Sequence, residues 1–213
     1  MSHFFNTGKL RIGSNSRTNS IDENFFDNIN TPDKAYILGW IISDGHVNKY
    51  KLTFCIKDLE ILEKFKNIMK SEHKISNSIY YDKRTDKSYQ RYMLQITSKK
   101  IVDSLNKLGI HQAKSFTVDL PKIPRDLYQH LIRGIFDGDG YIGMVTGKTG
   151  NIIPRFSMIV TEKIYEKLKT IFKELKISFM SPEIIAEKDG NRILKIRVYR
   201  KAELSKFFNY IYG

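Results

Sequence analysis

The sequence predicts an α+β chain built from two pseudo-symmetric αββαββα repeats. One observation is a duplicated segment: Ile37-Leu38-Gly39-Trp40-Ile41-Ile42-Ser43-Asp44-Gly45 returns as Ile132-Arg133-Gly134-Ile135-Phe136-Asp137-Gly138-Asp139-Gly140. Gly39 to Gly134 and Asp44 to Asp139 are both separations of 95 positions, the mark of repeated halves. A second is that period-two strands and amphipathic helices follow each copy in the same order. A third is length: 213 residues suffice for one large core or two small ones.

The first motif helix runs from about Pro32 to Asp44. Thr31 supplies the N-cap, Pro32 the first turn, Asp33 a first-turn acid, and Gly45 a left-handed stop. Lys51-Leu52-Thr53-Phe54-Cys55-Ile56 alternates as a strand, and Leu59, Leu62, Phe65 and Met69 recur at helical spacing between Asp58 and Lys70. A hairpin follows, with strands Ser78 to Asp82 and Arg91 to Thr97 around Lys83-Arg84-Thr85-Asp86-Lys87. Ile101, Leu105 and Leu108 mark a closing helix that Gly109 ends.

Pro124-Arg125-Asp126 opens the second motif helix as Thr31-Pro32-Asp33 opens the first, and Gly140 closes it. Strands near Tyr141 to Val145 and Arg155 to Val160 come next, then a helix bearing Ile164, Leu168, Ile171, Phe172 and Leu175. A hairpin turns at Asp189-Gly190-Asn191, the strand Ile193 to Tyr199 puts Lys195, Arg197 and Tyr199 on one face, and a last helix spans about Ala202 to Tyr210. The expected domains are a basic arm at 1–21, a first repeat at 22–110, a linker at 111–125 and a second repeat at 126–213. The arm, with Lys9, Arg11 and Arg17 and no acid, is either a disordered terminus or a minor-groove contact.

Each motif Asp stands at a helix C-terminus, where carbonyls converge. That end carries about half a negative charge, so a carboxylate there costs about 0.3–1 kcal/mol without a cation nearby. A solvated Asp before a capping Gly explains one copy; a divalent metal explains two, because Mg²⁺ takes one or two carboxylates together with substrate phosphates. An EF-hand at Asp137 is excluded, since Ile142 and Lys148 stand where its Gly and Glu belong. Gly39 and Gly134 let the motif helices approach closely, which makes Asp44 and Asp139 neighbours at one end. Paired carboxylates of this kind can hold metal ions that clamp the oxygens of a phosphodiester.

Lys and Arg number 36 against 23 Asp and Glu, a net +13 that points to a polyanion. The outward strand positions Lys51, Thr53, Arg91, Gln95, Arg155, Ser157, Lys195, Arg197 and Tyr199 suit base-edge reading, and the loop residues Lys83, Arg84 and Lys148 suit phosphates; the alternative is a solvated sheet face. Cys55 alone excludes an internal disulfide. With Tyr36 to Ile42 as the most apolar run, a bilayer span is excluded, and a soluble intracellular protein is expected, in a bacterial cytoplasm or an organelle matrix.

The two Gly-x-x-x-x-Asp-Gly helices, each heading an αββαββα unit, resemble the LAGLIDADG homing endonucleases in their single-chain form, over about residues 22 to 213. The resemblance implies a monomer with the motif helices at its central interface and two antiparallel sheets forming a DNA-binding saddle. It also implies site-specific double-strand cleavage, one phosphodiester in each strand of a long target, in the context of intron homing. By that match Asp44 and Asp139 bind Mg²⁺, with Mn²⁺ and Ca²⁺ able to occupy the same sites, and the Ser43 and Gly138 carbonyls are additional ligands. Asp58 and Glu162 stand at the strand-to-helix junctions where similar enzymes order water, though both positions also suit helix capping. Lys114 matches the segment carrying an active-site Lys, against the alternative of a linker charge. Carrying the separation of Asp44 and Lys114 into the second half lands on Asn209, which leaves that half without an obvious lysine; Lys206 and Lys201 are poor substitutes. Intron RNA is the partner in the maturase alternative, and a non-catalytic DNA-binding regulator is a further one.

Overall fold

A computed structural model describes residues 19–83, 85–147 and 149–213. Its first half runs α1 (Pro32–Ser43), β1 (His46–Asn48), β2 (Lys51–Ile56), α2 (Leu59–Ile68), β3 (Ile75–Asp82), β4 (Lys87–Thr97) and α3 (Lys99–Lys107). The second repeats the order as α4 (Tyr128–Asp139), β5 (Gly140–Thr146), β6 (Ile152–Thr161), α5 (Glu162–Glu174), β7 (Glu183–Lys188), β8 (Asn191–Val198) and α6 (Lys201–Tyr212). The sheets are ordered β1-β2-β4-β3 and β5-β6-β8-β7, and every pairing within them is antiparallel.

Helix α1 is apolar on all sides, and residues 35–42 are all buried, which marks a helix enclosed by the rest of the protein. Its main neighbour is α4. A Cβ at Gly39 would lie 2.2 Å from the Leu131 carbonyl oxygen, and one at Gly134 would lie 2.1 Å from that of Tyr36, so the backbones touch at the two glycines. Each sheet closes its own half of the core on one face. Leu52, Phe54 and Ile56 on β2 correspond to Phe156, Met158 and Val160 on β6. Phe65 packs against Phe54 and Trp40 in the first half, as Phe207 packs against Phe156 and Phe136 in the second.

Several local expectations are corrected. Gly45 is not left-handed, because β1 begins at once and the chain must leave α1 extended. What Gly45 provides is room, since a Cβ there would lie 2.6 Å from the Ile41 Cα. The second motif helix does not open like the first: Thr31 accepts from the Lys34 N–H, whereas α4 is entered through a 3-10 turn, Arg125–Leu127, with no side-chain cap. Strands β3 and β4 are longer than expected, so Lys87 belongs to a strand, and Tyr199 lies one residue beyond β8. Gly109 does take the left-handed conformation after α3. Arg84, Lys148 and residues 1–18 of the basic arm lie outside the described residues.

The expectation at Asn209 fails for a topological reason. Helices α2 and α5 start 103 positions apart and α3 and α6 start 102 apart, against 95 for the motifs, because the β5–β6 hairpin is longer than β1–β2. Asn209 lies on α6, exposed, and is not the counterpart of the Lys114 segment that follows α3.

Candidate active site

The two motif acids end adjacent helices. Asp44 caps α1, its N–H and that of Gly45 both donating to the Trp40 carbonyl at 3.0 Å. Asp139 is the last residue of α4, and the Gly140 N–H donates to the Phe136 carbonyl. Between them the motif residues Ser43 and Gly138 meet: a Cβ at Gly138 would lie 2.1 Å from Ser43 Oγ, so only glycine admits this approach. Ser43 Oγ in turn donates to the carbonyls of Gly39 and Trp40 within α1.

Lys114 enters from the linker on a 3-10 turn, Lys114–Phe116, which a left-handed Ala113 (φ 58°) directs inward. Its side chain is buried, and Nζ donates to the Ile42 carbonyl at 2.8 Å and to the Ser43 carbonyl at 3.2 Å. The ammonium therefore serves the negative end of α1, where a cation is favoured. Burial lowers the Lys114 pKa, and the charges of Asp139 and Asp44 oppose that shift.

Both carboxylates have a side open to solvent, but their flanks are lined with protein. Lost hydration there is the main reason that the Asp44 pKa is raised, with Lys114 acting against it. Asp139 is pushed up to about 6, first by burial and then by the charge of Asp44, again opposed by Lys114. Two carboxylates, one of which raises the proton affinity of the other, that remain reachable from solvent suit a cation.

The donor set fits a divalent metal of the Mg²⁺ type. Among the described residues no group of three or more His, Cys, Asp or Glu is arranged to hold a metal. A pair of carboxylates suits an ion that completes its shell with water and phosphate oxygens. The Ser43 carbonyl already accepts from Lys114, which leaves it one lone pair for a further partner. A cavity of about 220 Å³ adjoins Asp139, with Lys114, Ser43 and Thr161 among its walls.

Asp58 and Glu162 take structural partners. Asp58 is the N-cap of α2 and accepts from the Glu60 N–H at 3.0 Å. Glu162 opens α5 behind the N-cap Thr161 and pairs with Arg192 at 3.3 Å. On the sheet faces turned away from the helices, Thr53 pairs with Gln95, Ser78 with Arg91 and Lys51 with Thr97. Arg155, Ser157, Lys195 and Arg197 share the corresponding face of the second sheet. Ser157 is buried rather than accessible, a short side chain between its larger cross-strand partners Tyr141 and Arg197. Arg197 pairs with Glu183 and Arg91 stacks on Tyr80, so neither is a bare charge. Lys51 and Lys83 are exposed.

Sequence reasoning missed one constellation. Tyr36 on α1 donates to Asp137 Oδ2 at 2.8 Å, and Tyr212 at the end of α6 donates to the other oxygen of the same carboxylate. Arg133 lies over the Tyr36 ring, 4.4 Å from its centroid. Burial pushes the Tyr36 hydroxyl up to about 12. Asp137 thus ties three helices across the repeat boundary. The signal was its departure from the first copy, where Ile42 holds the equivalent position.

Residues 31–109 match the family model of the LAGLIDADG-like domain. Over 122 residues the chain is 32% identical to the glutamine–fructose-6-phosphate aminotransferase of Methanocaldococcus jannaschii, a match covering 53% of this chain and 10% of that protein. Over 112 residues it is 30% identical to the replication factor C small subunit of the same organism, covering 49% and 6%. The chain therefore spans a tenth or less of these curated relatives. Among solved structures, the homing endonuclease I-WcaI bound to its DNA recognition sequence has a TM-score of 0.56 at 14% identity, covering 95% of this chain and 90% of its own. The LAGLIDADG meganuclease I-CpaMI bound to uncleaved DNA gives 0.54 at 12%, covering 86% of each chain. I-GzeII in complex with a DNA target gives 0.52 at 12%, covering 86% and 84%. At these identities the likeness is one of fold.

Proposed function

We propose that this chain, with its LAGLIDADG-like domain at residues 31–109 and the two-repeat fold of LAGLIDADG homing endonucleases, is a metal-dependent, site-specific double-strand DNA endonuclease. The observation that carries the reading is the meeting of Asp44 and Asp139 at the ends of paired helices, beside a buried lysine. The net charge of +13 and the mixed polar faces of both sheets supply the second requirement, a surface for a long duplex.

Within this reading Lys51, Thr53, Arg91, Gln95, Arg155, Lys195 and Arg197 hold the duplex across the two sheets. Asp44 and Asp139 hold the divalent cation, with the Ser43 and Gly138 carbonyls nearby. When bound, Mg²⁺ supplies Lewis-acid stabilisation of phosphate charge and activation of water. Water oxygen bonds to phosphorus, the bond to one sugar oxygen breaks, and that oxygen leaves with a proton. Lys114 keeps the end of α1 electrostatically tolerable and adds positive charge next to the reacting phosphate. Asp58 and Glu162 stand at the starts of α2 and α5 as the groups proposed to orient water. The chain acts as a monomer, because both halves of the site come from one chain. Among the described residues no helix is long and apolar enough to cross a membrane.

The test exposes the full chain to a randomised duplex library in Mg²⁺ and, in parallel, in EDTA. Recovery of one family of sites, cut in both strands only in Mg²⁺, is expected. Sequence-specific retention without cleavage in any divalent metal would replace the endonuclease with a regulator of the same fold.

A further inference from the structure

The turn that presents Lys114 is short and strained. It is entered through Ala113 at φ 58° and ψ 34°, a left-handed conformation that a residue with a Cβ keeps only where its surroundings impose it. Of residues 113–118, only Lys114 and Val118 are buried. Something beyond the turn must hold it.

The fixed point lies in the other repeat. Thr161 is the N-cap of α5 and is 3% exposed. Its Oγ1 accepts from the Ile164 N–H at 3.2 Å and donates to the Val118 carbonyl at 2.6 Å. The Val118 N–H donates to the Lys114 carbonyl at 2.9 Å, and Lys114 Nζ donates to the Ile42 and Ser43 carbonyls at the end of α1. Consecutive links thus run from the second repeat, through the linker, to the end of the first motif helix. Thr161 and Lys114 also line the cavity beside Asp139.

The cap at the corresponding place in the first repeat is Asp58, at the start of α2. An ionised carboxylate accepts but cannot donate, which suffices for capping. A hydroxyl does both, and the second repeat uses both because the linker passes the start of α5. A second tether joins Lys167 Nζ to the Leu120 carbonyl at 2.8 Å and to Asp119 at 2.9 Å. It is farther from Lys114 and only half-buried.

Resting on the endonuclease reading, we propose that Thr161 is a positioning residue for cleavage. Its hydroxyl, donating to the Val118 carbonyl, holds the turn that aims Lys114 at the end of α1, beside Asp44 and Asp139. Thr161 touches no reacting atom. Its effect on cleavage passes through Lys114, and duplex binding on the sheets does not depend on it.

The experiment compares Thr161→Val, Thr161→Ser, Lys114→Met and the double variant Thr161→Val/Lys114→Met in the full chain. Single-turnover cleavage of a selected duplex in Mg²⁺ is measured separately from duplex affinity without divalent metal. Thr161→Val is expected to slow cleavage at least about tenfold, within the roughly 100-fold that a misplacement of about 1 Å can cost, and to change affinity less than about twofold. Thr161→Ser keeps the donor and is expected to cut at nearly the parental rate. The double variant is expected to cut no more slowly than Lys114→Met, since both substitutions remove one function. Thr161→Cys, a weaker donor of similar size, is expected to fall between Ser and Val. Should Thr161→Val not fold, a parental rate for Thr161→Cys would overturn the inference. So would a parental rate in Thr161→Val or Lys114→Met, a rate and an affinity that fall together, or losses that multiply in the double variant, as they would if Thr161 acted through its neighbour Glu162. If the parent chain cuts no duplex, the endonuclease reading fails, and amide hydrogen exchange decides the anchor alone. Faster exchange at Thr117 and Val118 in Thr161→Val supports it, because both N–H groups donate to the Lys114 carbonyl, and unchanged exchange overturns it.

Discussion

Alanine at Gly39 sets two effects of opposite sign against each other. In an exposed helix interior, Gly→Ala stabilises by about 1 kcal/mol through backbone entropy. At Gly39 the new methyl would stand 2.2 Å from the Leu131 carbonyl oxygen, 2.8 Å from the Ile135 nitrogen and 2.9 Å from the Gly134 Cα. All three are backbone atoms, so no side chain can rotate away. Reaching ordinary contact requires α1 and α4 to separate by about 1 Å, and overpacking of this kind costs about 1–3 kcal/mol or more. Because the obstacle is backbone on both sides, the upper part of that range applies, and a net loss of about 2 kcal/mol is expected after the propensity gain. For a chain of this size that lowers Tm by about 4–8 °C. Gly134→Ala should behave alike, since its methyl would lie 2.1 Å from the Tyr36 carbonyl oxygen. The double variant should lose less than the sum, because the second methyl enters a gap the first has opened. Thermal unfolding followed by circular dichroism reads all three. A Tm for either single variant equal to or above the parent would refute the close crossing.

Other expectations follow from the site. Asp139, with its pKa pushed up to about 6 against an ordinary 3.8, favours the fold in its neutral form, so its contribution is largest below pH 4 and is lost as pH rises through 6. Asp139→Asn should therefore raise the Tm of the metal-free protein at pH 8 and leave it nearly unchanged at pH 4; a larger gain at pH 4 would contradict the assignment. Lys114→Met removes the cation that holds both carboxyls down, so the Asp139 midpoint, followed by carboxyl carbon chemical shifts, should move above 6. A downward move would show that Lys114 does not act on the pair. Tyr36→Phe deletes a donor to Asp137 across the repeat boundary and should cost about 1.5 kcal/mol in denaturant unfolding, whereas no change would mean water replaces the hydroxyl.

The sequence was most legible where a residue's role is local. Thr31 and Asp58 cap their helices, Gly109 turns left-handed, and alternation along 51–56 and 193–198 separates core from outward positions because side chains in a strand alternate by geometry. It was least legible where the deciding partner lies far along the chain. Nothing near Gly138 reveals that Ser43 stands where a Cβ would go, and nothing near Ser157 reveals that Tyr141 and Arg197 enclose it. The constant separation of the motifs was misleading beyond β5, since hairpin length changes the offset without changing the topology. Tyr212 was invisible for the same reason, being 75 residues from the Asp137 it binds.

The central claim is that Asp44 and Asp139 form one shared cation site on which cleavage depends, and single substitutions test it most directly. On a selected target in Mg²⁺, Asp44→Asn and Asp139→Asn should each lose detectable double-strand cleavage while binding the duplex as tightly as the parent. If either variant still cuts both strands at the parental rate, the two carboxylates are not the catalytic centre.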